Sequence, residues 1–156
     1  MSLETLVVAV GPNDDTRTQE LTEAVLDIAD PTDATVVLFH AFTEKAYEVG
    51  IEEAGLDGDD PSPTALAARL EGIDALAEAL EDAEIPHEIR GAIGSEAEMI
   101  LRETEAVGGD LLYICGRKRS PTGKAVFGST SHRILMNSPC PVLFVREGVY
   151  GGDMDT

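Results

Sequence analysis

Apolar residues in this chain follow two rhythms. Leu6 to Val10 is a continuous β-branched run closed by Gly11-Pro12-Asn13-Asp14-Asp15, and such runs fit strands buried on both faces. From Arg17 the spacing changes: Leu21, Ala24, Val25 and Ile28 mark one helix face, and Asp30-Pro31 is expected to stop that helix. Thr35 to Phe39 is a second buried strand, ending at His40-Ala41. A long acidic connection, Thr43 to Pro63, follows, with a short helix expected over Glu44 to Ala54. Thr64 to Asp82 reads as the longest helix, striped by Leu66, Leu70, Ile73, Ala77 and Leu80. His87 to Ile93 alternates, with Ile89 and one of Ala92 or Ile93 facing inward, as in a half-exposed edge strand. Gly94-Ser95 opens a helix with Ala97, Ile100, Leu101 and Thr104 on one face, and Ser95 with Glu98 matches a capping box. Gly108-Gly109 ends it, and Leu111 to Cys115 is the fourth strand. A last helix is expected from about Gly128 to Met136, and a fifth strand over Val142 to Val145.

The order β-α-β-α-β-α-β-α-β predicts a five-stranded parallel sheet with helices on both faces. Right-handed crossovers and an edge position for the third strand select the strand order 3-2-1-4-5. The winding then reverses between strands one and four, and sheets of this kind bind ligands beyond the strand carboxyl ends at that point. Gly11 to Asp15 and Gly116 to Thr122 wall the crevice. The organisation is one α/β domain over residues 1–147, with 148–156 as a flexible tail.

Charge changes the picture at that crevice. The chain has 30 acidic residues against 11 basic ones, a formal charge of −19. Such a surface suits a halophilic setting, where salt screens self-repulsion. It also disfavours general nucleic-acid binding, because phosphate backbones are repelled. Four of the cations, Arg117, Lys118, Arg119 and Lys124, nonetheless gather directly after the fourth strand. Gly116 leaves that strand, Gly123 lies within the loop, and Gly128 opens a helix whose first amides, with the Ser129 and Thr130 hydroxyls, favour an anion. The plainer alternative is that Ser129 caps the helix and the cations pair with surface acids.

The remaining chemistry is sparse. No apolar run approaches the roughly 20 residues that cross a bilayer, and the N-terminus lacks the basic segment of a signal peptide. The expected address is the cytoplasm, with no membrane partner. Cys115 and Cys140 fall at opposite ends of neighbouring strands, about 15 Å apart by strand rise, and are expected to be reduced, largely buried thiols. Asp57-Gly-Asp-Asp-Pro61 lacks the alternating ligands of a calcium loop and reads as solvated. His40, ending a strand near the crevice, reads as a structural histidine before a ligand contact. His132 reads as facing solvent or a partner, and no metal cluster is apparent.

Gly116, the Gly128-Ser129 pair, Ser138-Pro-Cys-Pro-Val142 and Leu143-Phe-Val145, with Leu6-Val-Val-Ala-Val10 and Thr35-Val-Val-Leu-Phe-His40, carry a resemblance. Over roughly Leu3 to Arg146 the chain resembles the universal stress protein family. The resemblance implies the α/β sheet above, dimerisation through the last strand, and a stress-responsive, non-catalytic role. It also implies, for some members, ATP held by a Gly-x-x-Gly, nine residues, Gly-Ser/Thr loop, with an Asp after the first strand at the adenosine end. Gly116, Gly128 and Ser129 match that loop. Arg119 stands at the second glycine, Gly123 is an extra glycine, and Gly128 follows Gly116 by 12 residues, one short of the family spacing. Gly11 stands where the Asp is expected, while Ala9 and Ala41 would line the adenosine wall. These departures describe a nucleotide loop remodelled for ATP or for another phosphate or anion, with Arg119 supplying charge where backbone would touch phosphate. The alternative is a dimeric interaction module without a small-molecule ligand.

Two other readings fail on residues. A response-regulator phosphoacceptor needs an Asp ending the third strand and a Lys ending the fifth, where this chain has Gly91-Ala-Ile-Gly94 and Val145-Arg146. Gly128-Ser-Thr-Ser-His132 is not the nucleophile elbow of a hydrolase, and no nucleophile–base pair suggests an enzyme. The apolar strand Val142 to Val145 would be a liability at a sheet edge unless covered, which predicts a homodimer through it.

Overall fold

A computed structural model describes residues 2–11, 18–56, 62–116 and 128–146. Five parallel strands, β1 (Thr5–Ala9), β2 (Thr35–Phe42), β3 (His87–Ile93), β4 (Leu111–Gly116) and β5 (Val142–Arg146), form one sheet in the order β3-β2-β1-β4-β5. The helices are α1 (Thr18–Thr32), α2 (Glu44–Ala54), α3 (Pro63–Ala67), α4 (Glu71–Asp82), α5 (Glu96–Ala106) and α6 (Ser129–Asn137). The predicted topology is the one observed.

The continuous apolar runs fill both faces of the sheet. Leu6, Val8, Val36, Leu38, Leu111 and Tyr113 point to one side and meet apolar residues of α1 through α4. Val7, Ala9, Val37, Phe39, Leu112 and Ile114 point to the other and meet Ala97 and Ile100 of α5 and Ile134 of α6. Tyr113 is fully buried and its hydroxyl donates to the Ala24 carbonyl at 3.3 Å, so its polar end is satisfied inside the first layer.

Four local expectations change. Helix α1 does not stop at Pro31; it runs to Thr32. The proline removes one amide in the last turn only. There the Thr32 hydroxyl donates to the Ile28 carbonyl at 2.6 Å, Asp33 takes φ 61°, and the Ala34 amide returns to the Ala29 carbonyl at 3.3 Å. The expected long helix over 64–82 is two helices. Ser62 caps α3 by accepting from the Ala65 amide at 3.0 Å, and Pro63 occupies its first turn. Tight bonds Arg69 to Leu66 and Leu70 to Ala67 end it, and Leu70 is extended, with ψ 136°. Leu66 and Ala67 of α3 and Ile73, Leu76 and Leu80 of α4 are all buried in the same core, so the apolar stripe continues in sequence across the break between the two helices. The longest helix is therefore α1, of 15 residues.

The Ser95 side chain makes no cap bond to α5, and Glu98 pairs instead with Arg102 at 3.4 Å. Neither cysteine is in a disulfide, as expected, but both are half-buried rather than largely buried. Leu112 faces Val142 and Cys115 faces Val145, which puts Cys140 and Cys115 at opposite ends of the pair. Burial pushes the Cys140 thiol above its ordinary range; the Ser138 hydroxyl pulls it back and the Asp110 charge pushes it up again.

Edge strand β3 behaves as its alternation implies. Ile89 packs on one core and Ala92 on the other, while Ile93 is exposed. Arg90 lies 3.3 Å from Glu88 and 3.1 Å from Glu103, tying β3 to α5. The Glu103 oxygen is buried and off the N–H axis of Arg90, so the contact is ionic without a formed hydrogen bond. Burial pushes the Glu103 carboxyl above its ordinary range, Arg90 opposes this, and Glu88 adds to it. On the outer side of β3, the Gly91 amide donates to the Thr64 hydroxyl of α3 at 3.1 Å. A Cβ on Gly91 would lie 2.3 Å from the Pro63 carbonyl oxygen, so only glycine lets α3 seat this closely against the edge.

Candidate functional site

The crevice forms where β1 leaves its neighbours. Leu6, Val7 and Val8 pair with Leu111, Leu112 and Tyr113 of β4. Counting onward from that register sets Gly11 level with Gly116. On the other side β1 and β2 stay paired to Ala9 and Phe39, and the Val10 amide donates to the Phe39 carbonyl at 2.9 Å. Strand β2 does not end at His40-Ala41 as expected. It continues to Phe42 because β3 accompanies it, with His40, Ala41 and Phe42 opposite Gly91, Ala92 and Ile93. Thus β2 extends past the end of β1, and the gap above β1 opens between β2 and β4.

Small side chains line this end of the sheet on the α5–α6 side. Ala9 is buried there, and Ala41 and Ala92 are partly buried on the same face. Gly11 is half-buried just beyond the strand. Helix α6 packs with α5 on this face of the sheet. Gly128 is its N-cap with extended backbone, Ser129 is exposed and Thr130 half-buried. The His132 amide closes the first turn onto the Gly128 carbonyl at 3.0 Å, so the amides of Ser129, Thr130 and Ser131 precede the first bond that runs along the helix. These donors favour negative charge. Ser129 makes no bond as a cap, because the cap is Gly128, which also has no side chain to do so.

The structure thus brings Ala9, Gly11, Ala41 and Gly116 to the carboxyl ends of neighbouring strands, and places Gly128, Ser129 and Thr130 at the start of α6. Arg117, Arg119 and Gly123 lie outside the described residues. His132 is exposed, as expected. Among the described residues no group of His, Cys, Asp and Glu could hold a metal ion, and no helix is long and apolar enough to cross a membrane.

Two positioning groups carried little signal in the sequence. His40 is buried, and its Nδ1–H donates to the Val10 carbonyl at 2.5 Å, with the ring edge-on to Phe42 at 4.4 Å. The signal available was a polar residue at an inward-facing strand position. At the opposite end of the sheet, Asp110 Oδ2 accepts from the amides of Glu4 and Thr5, each at 3.0 Å, and its own amide donates to the Thr5 carbonyl at 2.8 Å. A carboxylate just ahead of a strand has no periodicity to reveal such a partner 105 residues away.

A doubly wound parallel sheet with its reversal between β1 and β4 defines the class of Rossmann-like α/β domains. The Universal stress protein family matches residues 3–146, and the chain belongs to that family. A universal stress protein of Mycolicibacterium smegmatis is 35% identical over 116 residues, covering 67% of this chain and 89% of that protein. Two solved structures share the fold at lower identity. A universal stress protein in complex with cAMP superposes with a TM-score of 0.61 at 16% identity, covering 94% of this chain and 98% of that one. A universal stress protein family protein from Arabidopsis thaliana with AMP bound gives a TM-score of 0.63 at 14% identity, covering 98% and 95%.

Proposed function

We propose that this universal stress protein is a non-catalytic, cytoplasmic binder of a nucleotide or smaller phosphate anion. The phosphate would rest between Gly116 and the Gly128-Ser129-Thr130 start of α6, and the adenosine end against Ala9 and Ala41. The supporting observation is that β4, ending on Gly116, neighbours β1 at the one reversal of the sheet, where this architecture receives ligands, and that Gly128 opens the next helix in the chain, α6. The cAMP and AMP complexes of similar folds make a nucleotide with few phosphates the first probe.

Titration calorimetry in high salt with AMP, ATP and inorganic phosphate tests the reading. AMP should bind, and replacing Arg117 and Arg119 together by Ala should weaken it about tenfold or more, since charge-assisted bonds to phosphate contribute about 1.5–3 kcal/mol. No heat with any of the three probes would defeat the proposal. Unchanged affinity in the double variant would move the anion away from this loop.

A homodimer through β5 is also proposed, on a specific asymmetry. The β3 edge is covered by α3 through Gly91 and Thr64. The opposite edge is β5, whose Val142, Leu143 and Phe144 are half-buried. Sedimentation in high salt should show a dimer at micromolar concentration, reduced to monomer by Leu143→Glu. A wild-type protein that sediments only as monomer would rule the dimer out.

A further inference from the structure

We infer that His40 is a positioning residue for the proposed anion site: its Nδ1–H holds the Val10 carbonyl and thereby fixes the direction in which the chain leaves β1 for the crevice. The inference rests on the binding reading above.

Only two polar residues belong to the buried set among the described residues, His40 and Thr104. Thr104 is satisfied within its own helix, by donating to the Ile100 carbonyl at 2.7 Å. His40 instead reaches across to a different strand, 30 residues away in sequence. A carbonyl only accepts, so the bond assigns the proton to Nδ1. The acceptor lies one residue before Gly11, at the point where β1 parts from β2. A backbone bond there runs from the Val10 amide to the Phe39 carbonyl. The imidazole adds a second bond between the two strands at the same residue, to the Val10 carbonyl.

The ring is itself held in place. Phe42 meets it edge-on at 4.4 Å and 68°, and Tyr47 of α2 meets Phe42 at 6.3 Å. Leucine at position 40 would match Val36 and Leu38 on the same face of β2, but it would leave the buried Val10 carbonyl without the imidazole's bond. What the imidazole adds is a directed bond. A ligand contact made by Gly11 and the opposing Gly116 depends on the β1 exit being placed to within a fraction of an ångström.

Asparagine sets a donor where Nδ1 sits, glutamine where Nε2 sits, and leucine removes it. His40→Leu should melt below the wild-type temperature, because the Val10 carbonyl loses its imidazole donor, and should bind AMP about tenfold more weakly. His40→Asn should stay within about threefold of wild type, and nitrogen-detected NMR of the wild-type ring should show the Nδ1–H tautomer. Should His40→Leu fail to fold, His40→Gln takes its place and should show the same loss. Wild-type affinity in His40→Leu or His40→Gln, an Nε2–H tautomer, or an equal loss in His40→Asn would overturn the inference while AMP binding itself stood. Wild-type protein that binds no AMP would overturn the binding reading and the inference with it.

Discussion

Gly91→Ala should lower the stability of this domain by about 2–3 kcal/mol, in the range of overpacking substitutions. For a domain of this size that is a fall in melting temperature of roughly 4–12 °C. The new Cβ would sit 2.3 Å from the Pro63 carbonyl oxygen and 2.6 Å from its carbon, and both are backbone atoms that cannot rotate aside. Helix α3 would have to lift, taking with it the Thr64 hydroxyl that accepts from the Gly91 amide and the buried Leu66 and Ala67. Gly50→Ala is the control. There the nearest atom is Leu66 Cδ2 at 2.7 Å, the free end of a side chain with other rotamers. Thermal melts of the two variants should separate clearly, and a Gly91→Ala protein that melts with the wild type would mean that α3 does not seat on β3 as described.

Asp110→Ala should cost about 2 kcal/mol, because one carboxylate oxygen serves two backbone amides. The Glu4 amide is solvent-exposed, so water replaces part of that bond, while the Thr5 amide is partly buried and loses more. The entry to the central strand is at stake: the Glu4 carbonyl accepts from Thr35 at 2.9 Å and the Thr5 carbonyl from Asp110 at 2.8 Å. Asp110→Asn keeps an acceptor without the charge and should lose less than half as much. Urea unfolding gives the magnitude, and faster amide exchange confined to Glu4 and Thr5 gives the location. Unchanged unfolding of Asp110→Ala would remove this carboxylate from the account of how β1 is held.

Much of this architecture could be read from residue patterns alone, for a physical reason. Strands buried on both faces have to be apolar throughout, so Leu6 to Val10 and Thr35 to Phe39 announce themselves, and the alternation of His87 to Ile93 follows from an edge position. What escaped was whatever depends on two distant segments meeting. The stripe from Leu66 to Leu80 keeps a helical period across a chain that turns at Ala68 to Leu70, because both helices bury their apolar residues in the same core and so demand the same residue types. Strand β2 extends past His40 because β3 accompanies it, a fact about pairing that β2 does not encode. For the site, the glycines and the sheet reversal were legible. The bond from His40 to Val10 was not, since only the fold shows which carbonyl a buried imidazole meets.

The covering of β3 by α3 has a consequence for assembly. A parallel sheet with two bare edges is a repeating unit, and each added copy leaves a fresh edge for the next. Here one side is stoppered by Thr64 and by the absence of a side chain at position 91. Copies joined β5 to β5 would present only stoppered flanks outward, so association would halt at two and could not run on into fibres. In that sense a single glycine far from the crevice sets a ceiling on growth, and a bulkier residue there would threaten solubility as well as the fold.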